Sequence, residues 1–245
     1  MTRILAVSTA EFSIAYRNRW VAIAVVMMAL FAIVLTAAGS SPTGRLGADR
    51  LSVMVASLTS LAVYLVPLVA LLMAFDAIAG EIERGTMPLV LTYPISRVEL
   101  LTGKLIAHLG ILTLAVVVGY GIAAGAAFWF DDDASRGMLA LGRLLATSLL
   151  LGATFLNIGY TISGIARRPG AAAGLVIALW LVLIVLYDLA LLAALVADNG
   201  SYFTKSVFPW LLLANPSDAF RLYNLSASEA TAAASGLAGA AGVIA

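Results

Sequence analysis

The chain has 245 residues, of which 62% are hydrophobic and 11% charged, with a formal net charge of +1. Soluble domains are roughly half apolar and a quarter charged, so this composition excludes a water-soluble globule and points to lipid-embedded helices, which satisfy their own backbone polar groups. The near-neutral balance excludes nucleic-acid binding through a basic face, and zero cysteines with a single histidine, His108, exclude disulfides, thiolate metal sites and a histidine cage within one chain.

Residues 1–19 carry Arg3, Arg17 and Arg19 but no short apolar core with a small-residue cleavage site, so no cleaved signal peptide is expected. Ile4, Leu5, Val7, Phe12, Ile14, Ala15 and Tyr16 gather on one side of a helix, with Thr9, Ser13 and Arg17 opposite. That predicts a helix lying in the membrane plane, with Ser8, Glu11 and Asn18 interrupting the pattern. Five apolar runs follow, at residues 20–39, 51–79, 100–130, 139–164 and 171–197. Each reaches the about 20 residues that cross the hydrocarbon. Pro67 withdraws the donor to Val63 and should bend the second run. In the third, Gly121 and Gly125 form a GxxxG pair, which permits close helix contact and is common by chance in glycine-rich spans.

Between the second and third runs lies Gly80–Lys104, the longest charged segment separating two apolar ones. Gly80 and Gly85 supply backbone freedom where the preceding helix ends. Thr86 is a candidate N-cap for a short helix opening on Met87-Pro88, with Leu89, Val90 and Leu91 as its apolar surface. Tyr93-Pro94 ends it, because a residue before proline is pushed out of the α region. Ser96 and Glu99 form a capping box that launches the next long helix. Residues 80–99 therefore form a polar loop carrying a short apolar-faced helix, which is the design of a docking handle.

After the fifth run, Val207–Leu213 is too short to cross, and Asn215-Pro216 reads as a cap followed by a proline in the first helical position. Residues 205–225 are expected to be re-entrant or interfacial on the outer face, with Asp218 and Arg221 as i,i+3 neighbours. An Ala/Gly-rich tail, residues 226–245, closes the chain. With the N-terminus inside, basic residues divide 8 against 6, the inner set being Arg3, Arg17, Arg19, Arg84, Arg97, Lys104, Arg167 and Arg168. That bias, with Arg167-Arg168 at a span end and Asp131–Asp133 outside, favours an inside N-terminus.

Glu81, Gly85-Thr86, Leu89, Leu91, the run Tyr93-Pro94-Ile95-Ser96-Arg97 and Gly103-Lys104 resemble the cytoplasmic loop of ABC-2-type transporter permeases. The resemblance implies an all-α membrane protein with an ABC-2 (type V exporter-like) transmembrane domain, an N-terminal elbow helix at 1–19 and six spans. Five are clear here; the sixth would be missing or truncated. It implies a coupling helix seated in a groove of a separate ABC ATPase, two copies of which would carry the ATP and Mg, and a second copy of this chain as partner. Leu89, Leu91 and Pro94 would fill the groove, with Thr86, Met87, Pro88 and Tyr93 in the same coupling segment. Glu81, Glu83 and Arg97 would orient the partner by charge, and Gly85 and Gly103 would let the chain turn. The chain has no GxxxxGK[ST] phosphate loop, since Gly103-Lys104 is followed by Leu105. It is read as a non-catalytic permease subunit of a bacterial or archaeal inner membrane.

Three longer runs, residues 75–81, 212–218 and 221–226, resemble the branch of this family that serves copper-site maturation in nitrous oxide reductase. That implies a periplasmic β-solenoid partner, with Asn215, Pro216, Asp218 and Arg221 as its anchor or else as plain capping. The alternatives are an ABC-2 exporter of lipid, drug or other cargo, and an intramembrane enzyme using Asp76, Asp188 or His108. Asp76, His108 and Asn157 all fall in the cytoplasmic halves of their spans and could meet in the bundle, while His108 taken alone reads as a satisfied helix-end residue in preference to a ligand. Asp188 lies near the outer boundary, as an interfacial carboxylate or part of a vestibule. The scattered methionines read as core filler and not as a Cu(I) path, so no metal site is assigned.

Overall fold

The computed structural model describes residues 2–16, 26–27, 30, 34, 50–90, 92–130, 137–198 and 202–226. The first expected span, 20–39, lies almost wholly outside these, as do Leu91, the Asp131–Asp133 turn and the tail. In chain order the described helices are α1 (Thr2–Tyr16), α2 (Arg50–Ala74), α3 (Asp76–Glu83), α4 (Thr86–Val90), α5 (Arg97–Phe130) and α6 (Met138–Ala166). There follow α7 (Pro169–Trp180), a π-helical stretch at Leu181–Leu186, α8 (Tyr187–Asp198), a second π turn at Phe203–Val207, α9 (Phe208–Ala214) and α10 (Pro216–Ser226). Four stretches among the described residues are long and apolar enough to cross a membrane: Met54–Glu83, Arg97–Gly125, Met138–Ala166 and Pro169–Asp198.

The core forms where α6 packs along α2 and α5, burying Val66, Leu71, Leu112, Val116, Phe155 and Leu156. In lipid, helices associate through close van der Waals fit, and glycines supply it. A Cβ on Gly159 would stand 2.5 Å from the Ala74 Cβ, and one on Gly152 would stand 2.0 Å from Leu112 Cδ2. Those two positions make the close approach. Gly121 and Gly125 do not: among the described residues both are exposed, and nothing lies within 4 Å of a Cβ built on either.

Pro67 sits inside α2, whose helical run continues past it. The interruption comes eight residues later, at Phe75, and its cause is a serine on another helix. The Ser163 hydroxyl donates to the Phe75 carbonyl at 2.6 Å and accepts the Ala79 and Ile78 amides at 2.9 and 3.1 Å. It is spliced into the Ala79-to-Phe75 rung of the ladder, a known route to a helix break. The segment α3 is thereby an extension of α2 set off by a break in the hydrogen-bond ladder, at which Phe75 keeps helical dihedrals (φ −61°, ψ −35°).

Candidate functional site

At the end of α3, the Arg84 amide donates to Gly80 O at 3.0 Å and the Gly85 amide to Ile82 O at 3.1 Å. Gly85 has φ +68°, a left-handed conformation that favours glycine. The helix α4 begins at Thr86 itself, one residue before the expected start, and the Thr86 hydroxyl donates back to Glu81 O at 3.2 Å. Pro88 is then the third residue of α4, where its missing amide would have had no helical partner anyway. No residue of α4 is buried. Leu89 is 64% exposed and Tyr93 67%. At the far side, the Ser96 amide donates to Glu99 Oε2 at 2.8 Å while the Glu99 amide donates to Ser96 Oγ at 3.1 Å, a reciprocal cap that opens α5. The result is a hydrogen-bonded hairpin holding apolar side chains out from the bundle, with Glu83 and Arg97 exposed beside them.

Glu81 departs from the expected pattern. Its carboxylate turns inward to Lys104, whose Nζ donates to Glu81 Oε1 at 2.6 Å and also to Glu11. Lys104 is 1% exposed. A buried ammonium is tolerated only when paired, and here two carboxylates from α1 and α3 pair it. The assignment of Glu81 to the rim of a partner's groove is therefore corrected: it joins three helices of its own chain. Gly103 is corrected too. It lies within α5, where a Cβ would stand 2.6 Å from Val7 Cγ1, so the glycine admits α1 and turns nothing. Glu11, an irregularity in the amphipathic pattern, was the signal for this pairing.

The three polar residues that could meet in the bundle do not. His108 Nδ1 lies 2.6 Å from the Tyr160 hydroxyl, both buried. Asp76 pairs with Arg84 at 3.3 Å near the surface. Asn157 is exposed and donates to the Ala153 carbonyl of its own helix at 2.8 Å. Asp76 and His108 do share a cavity of about 910 Å³ between α1, the hairpin and α5, with Glu11, Glu81 and Lys104 also on its walls; Asn157 faces elsewhere.

At the opposite end, Asn215 accepts the Ser217 amide at 3.1 Å and so caps α10. Its amide group donates to Asp218 Oδ2 at 3.0 Å and to the Leu183 carbonyl at 2.7 Å. That carbonyl belongs to the π-helical stretch, where the widened turn displaces the regular acceptor pairing. Arg221 joins Asp218 at 2.7 Å and Asp188 at 3.0 Å. Burial pushes the Asp218 carboxyl up to about 7, with Asp188 adding to the rise and Arg221 opposing it. Asn215 and Asp218 are each 2% exposed, so their expected role as an anchor on the surface is corrected. They pin α10 to the fifth expected span. Pro216 and Arg221 remain partly accessible.

Comparison with known proteins gives one family: the "ABC-2 family transporter protein" family model matches residues 5–244. The "Probable ABC transporter permease protein NosY" of Stutzerimonas stutzeri is 41% identical over 239 residues, covering 97% of this chain and 86% of the relative. The protein of the same description from Pseudomonas aeruginosa is 42% identical over 235 residues, covering 95% and 85%.

Proposed function

The chain belongs to the ABC-2 family of transporter permeases, and from that premise we propose that it converts nucleotide-driven motion of a separate ATPase into rearrangement of its membrane helices. The carrying observation is the hairpin at 84–96, fixed by its own hydrogen bonds while Leu89 and Tyr93 stand in solvent. A rigid apolar knob is suited to fill a groove on a partner, because little side-chain or backbone freedom is lost on docking. In this reading two ATPase chains, bearing the ATP and Mg, dock on two copies of the permease.

Arg3, Arg84, Arg97, Lys104, Arg167 and Arg168 belong to the hairpin end, since Ser163 and Gly164 of α6 meet α3 there. This concentration supports placing that end in the cytoplasm of an inner membrane. The break at Phe75 then lets α3 move with the hairpin, and the Lys104 triad carries that motion to α5 and α1. Both relatives carry the name NosY, in keeping with the resemblance of residues 75–81, 212–218 and 221–226; in that reading the chain serves copper-site maturation of nitrous oxide reductase and meets a periplasmic β-solenoid partner at the opposite face. The opposite end offers Tyr202, Trp210 and Tyr223 as exposed aromatic groups.

Deleting residues 87–92 tests the docking role. Membrane insertion should persist while the co-expressed ATPase no longer copurifies. Undiminished copurification would refute it.

A further inference from the structure

The cavity beside the Lys104 triad has features that the docking role does not use. On α5 its walls are Leu100, Lys104 and His108, one helical turn apart, so the slot runs about 12 Å along the helix. On α1 they include Ala6 and Ala10, small residues that leave room against the facing Met73 and Ala77. The helix α1 packs chiefly on α5, so the slot lies between α1 and α3, with the Glu11–Lys104–Glu81 cluster bridging its walls. Its volume of about 910 Å³ lies within the range of ligand pockets in general, about 300–1,000 Å³. The lining charges are three cations (Arg3, Arg84, Lys104) and three carboxylates (Glu11, Asp76, Glu81). Arg3 makes no ion pair among the described residues, although its charge acts on the exposed Glu99 carboxylate, and the Arg84–Asp76 pair is about half exposed on another wall. A strongly anionic or cationic ligand would meet as much repulsion as attraction here. A zwitterion would not.

We propose that this slot is a phospholipid site, selective for a zwitterionic, amine-bearing headgroup. The phosphate lies against Arg3 and Arg84, and the ammonium against the Asp76 carboxylate. One acyl chain follows the apolar strip of Ala6, Ala10, Met73 and Ala77. Bound there, the lipid fills the gap between the N-terminal helix and the segment α3. The site does not rest on the ATPase docking role and stands or falls separately from it.

The test uses the permease purified with its ATPase, exchanged into nanodiscs of equal phosphatidylethanolamine and phosphatidylglycerol, then released and measured by native mass spectrometry. The expected result is one retained phosphatidylethanolamine per permease chain, in preference to phosphatidylglycerol. Arg3→Gln with Arg84→Gln should weaken retention about tenfold, as two charge-assisted phosphate contacts are lost. Arg3→Gln alone, a change at an exposed position, should give an intermediate loss with unaltered melting in lipid-free detergent. Preference for phosphatidylglycerol, equal retention of both lipids, no retained lipid, or retention indifferent to these substitutions would overturn the proposal.

Discussion

Replacing Lys104 by Met probes the inner ion cluster directly. Lys104 is 1% exposed, and its partners Glu11 and Glu81 are 15% and 16% exposed. Methionine keeps the volume and leaves two carboxylates facing each other in a poorly solvated gap. Removing one member of a buried ion pair costs about 3–5 kcal/mol, because the charge left behind is uncompensated. At roughly 2–4 °C per kcal/mol for a chain of this size, melting in lipid nanodiscs should fall by about 6–20 °C. The exposed Arg84–Asp76 pair is an internal control, since such pairs contribute about 0–1 kcal/mol. Arg84→Gln should therefore move the melting point by no more than about 4 °C. Combining Lys104→Met with Glu11→Gln and Glu81→Gln removes the stranded charges and should recover most of the loss. Differential scanning fluorimetry of the three variants gives the answer. If Lys104→Met is no worse than Arg84→Gln, or the triple variant is as unstable as the single one, the reasoning fails.

Ser163→Ala should let the Ala79 amide reach the Phe75 carbonyl directly, so hydrogen exchange at Ile78 and Ala79 slows; unchanged exchange would show that the hydroxyl does not cause the break. Gly159→Ala should cost about 1–3 kcal/mol in thermal unfolding through overpacking on Ala74, whereas Gly121→Ala and Gly125→Ala should be neutral or mildly stabilising. Asp218 has a folded pKa of about 7, above the ordinary carboxyl value of 3.8, so the folded state holds its proton more tightly than the unfolded chain. Its contribution is full below about pH 4 and is lost as pH rises through about 7. The difference in melting temperature between the parent and Asp218→Asn, followed from pH 4 to 8, should show that loss; a flat difference would contradict it.

Local chemistry in this chain was legible without coordinates. The Ser96–Glu99 box, the left-handed Gly85 and the Asn215 cap each depend on residues within four positions of one another, so spacing alone identifies them. What spacing cannot show is which lone polar groups on separate apolar helices find each other. Glu11 marred one amphipathic stripe and Lys104 stood in another apolar run, and each is the explanation of the other. Glu81 was misread because a carboxylate in a charged loop has no local mark of facing inward. Likewise the helix break belongs to Ser163, 88 residues from Phe75, while Pro67, the residue with the strongest intrinsic tendency to kink, is passed without interruption. Glycine pairing gave the same lesson: the GxxxG spacing at 121 and 125 meets nothing among the described residues, and Gly152 and Gly159, seven apart, make the contact.

The central claim is that the 84–96 hairpin stands in the cytoplasm against an ATPase. Since the chain has no cysteine, Leu89→Cys introduces a unique thiol at an exposed position of α4. In intact cells, a membrane-permeant linker bearing a maleimide at one end and an amine-reactive succinimidyl ester at the other should join that thiol to a lysine of the ATPase subunit, and a membrane-impermeant maleimide added outside should leave it unlabelled. Labelling from outside, or a thiol that never cross-links to the ATPase in the assembled complex, would contradict the account.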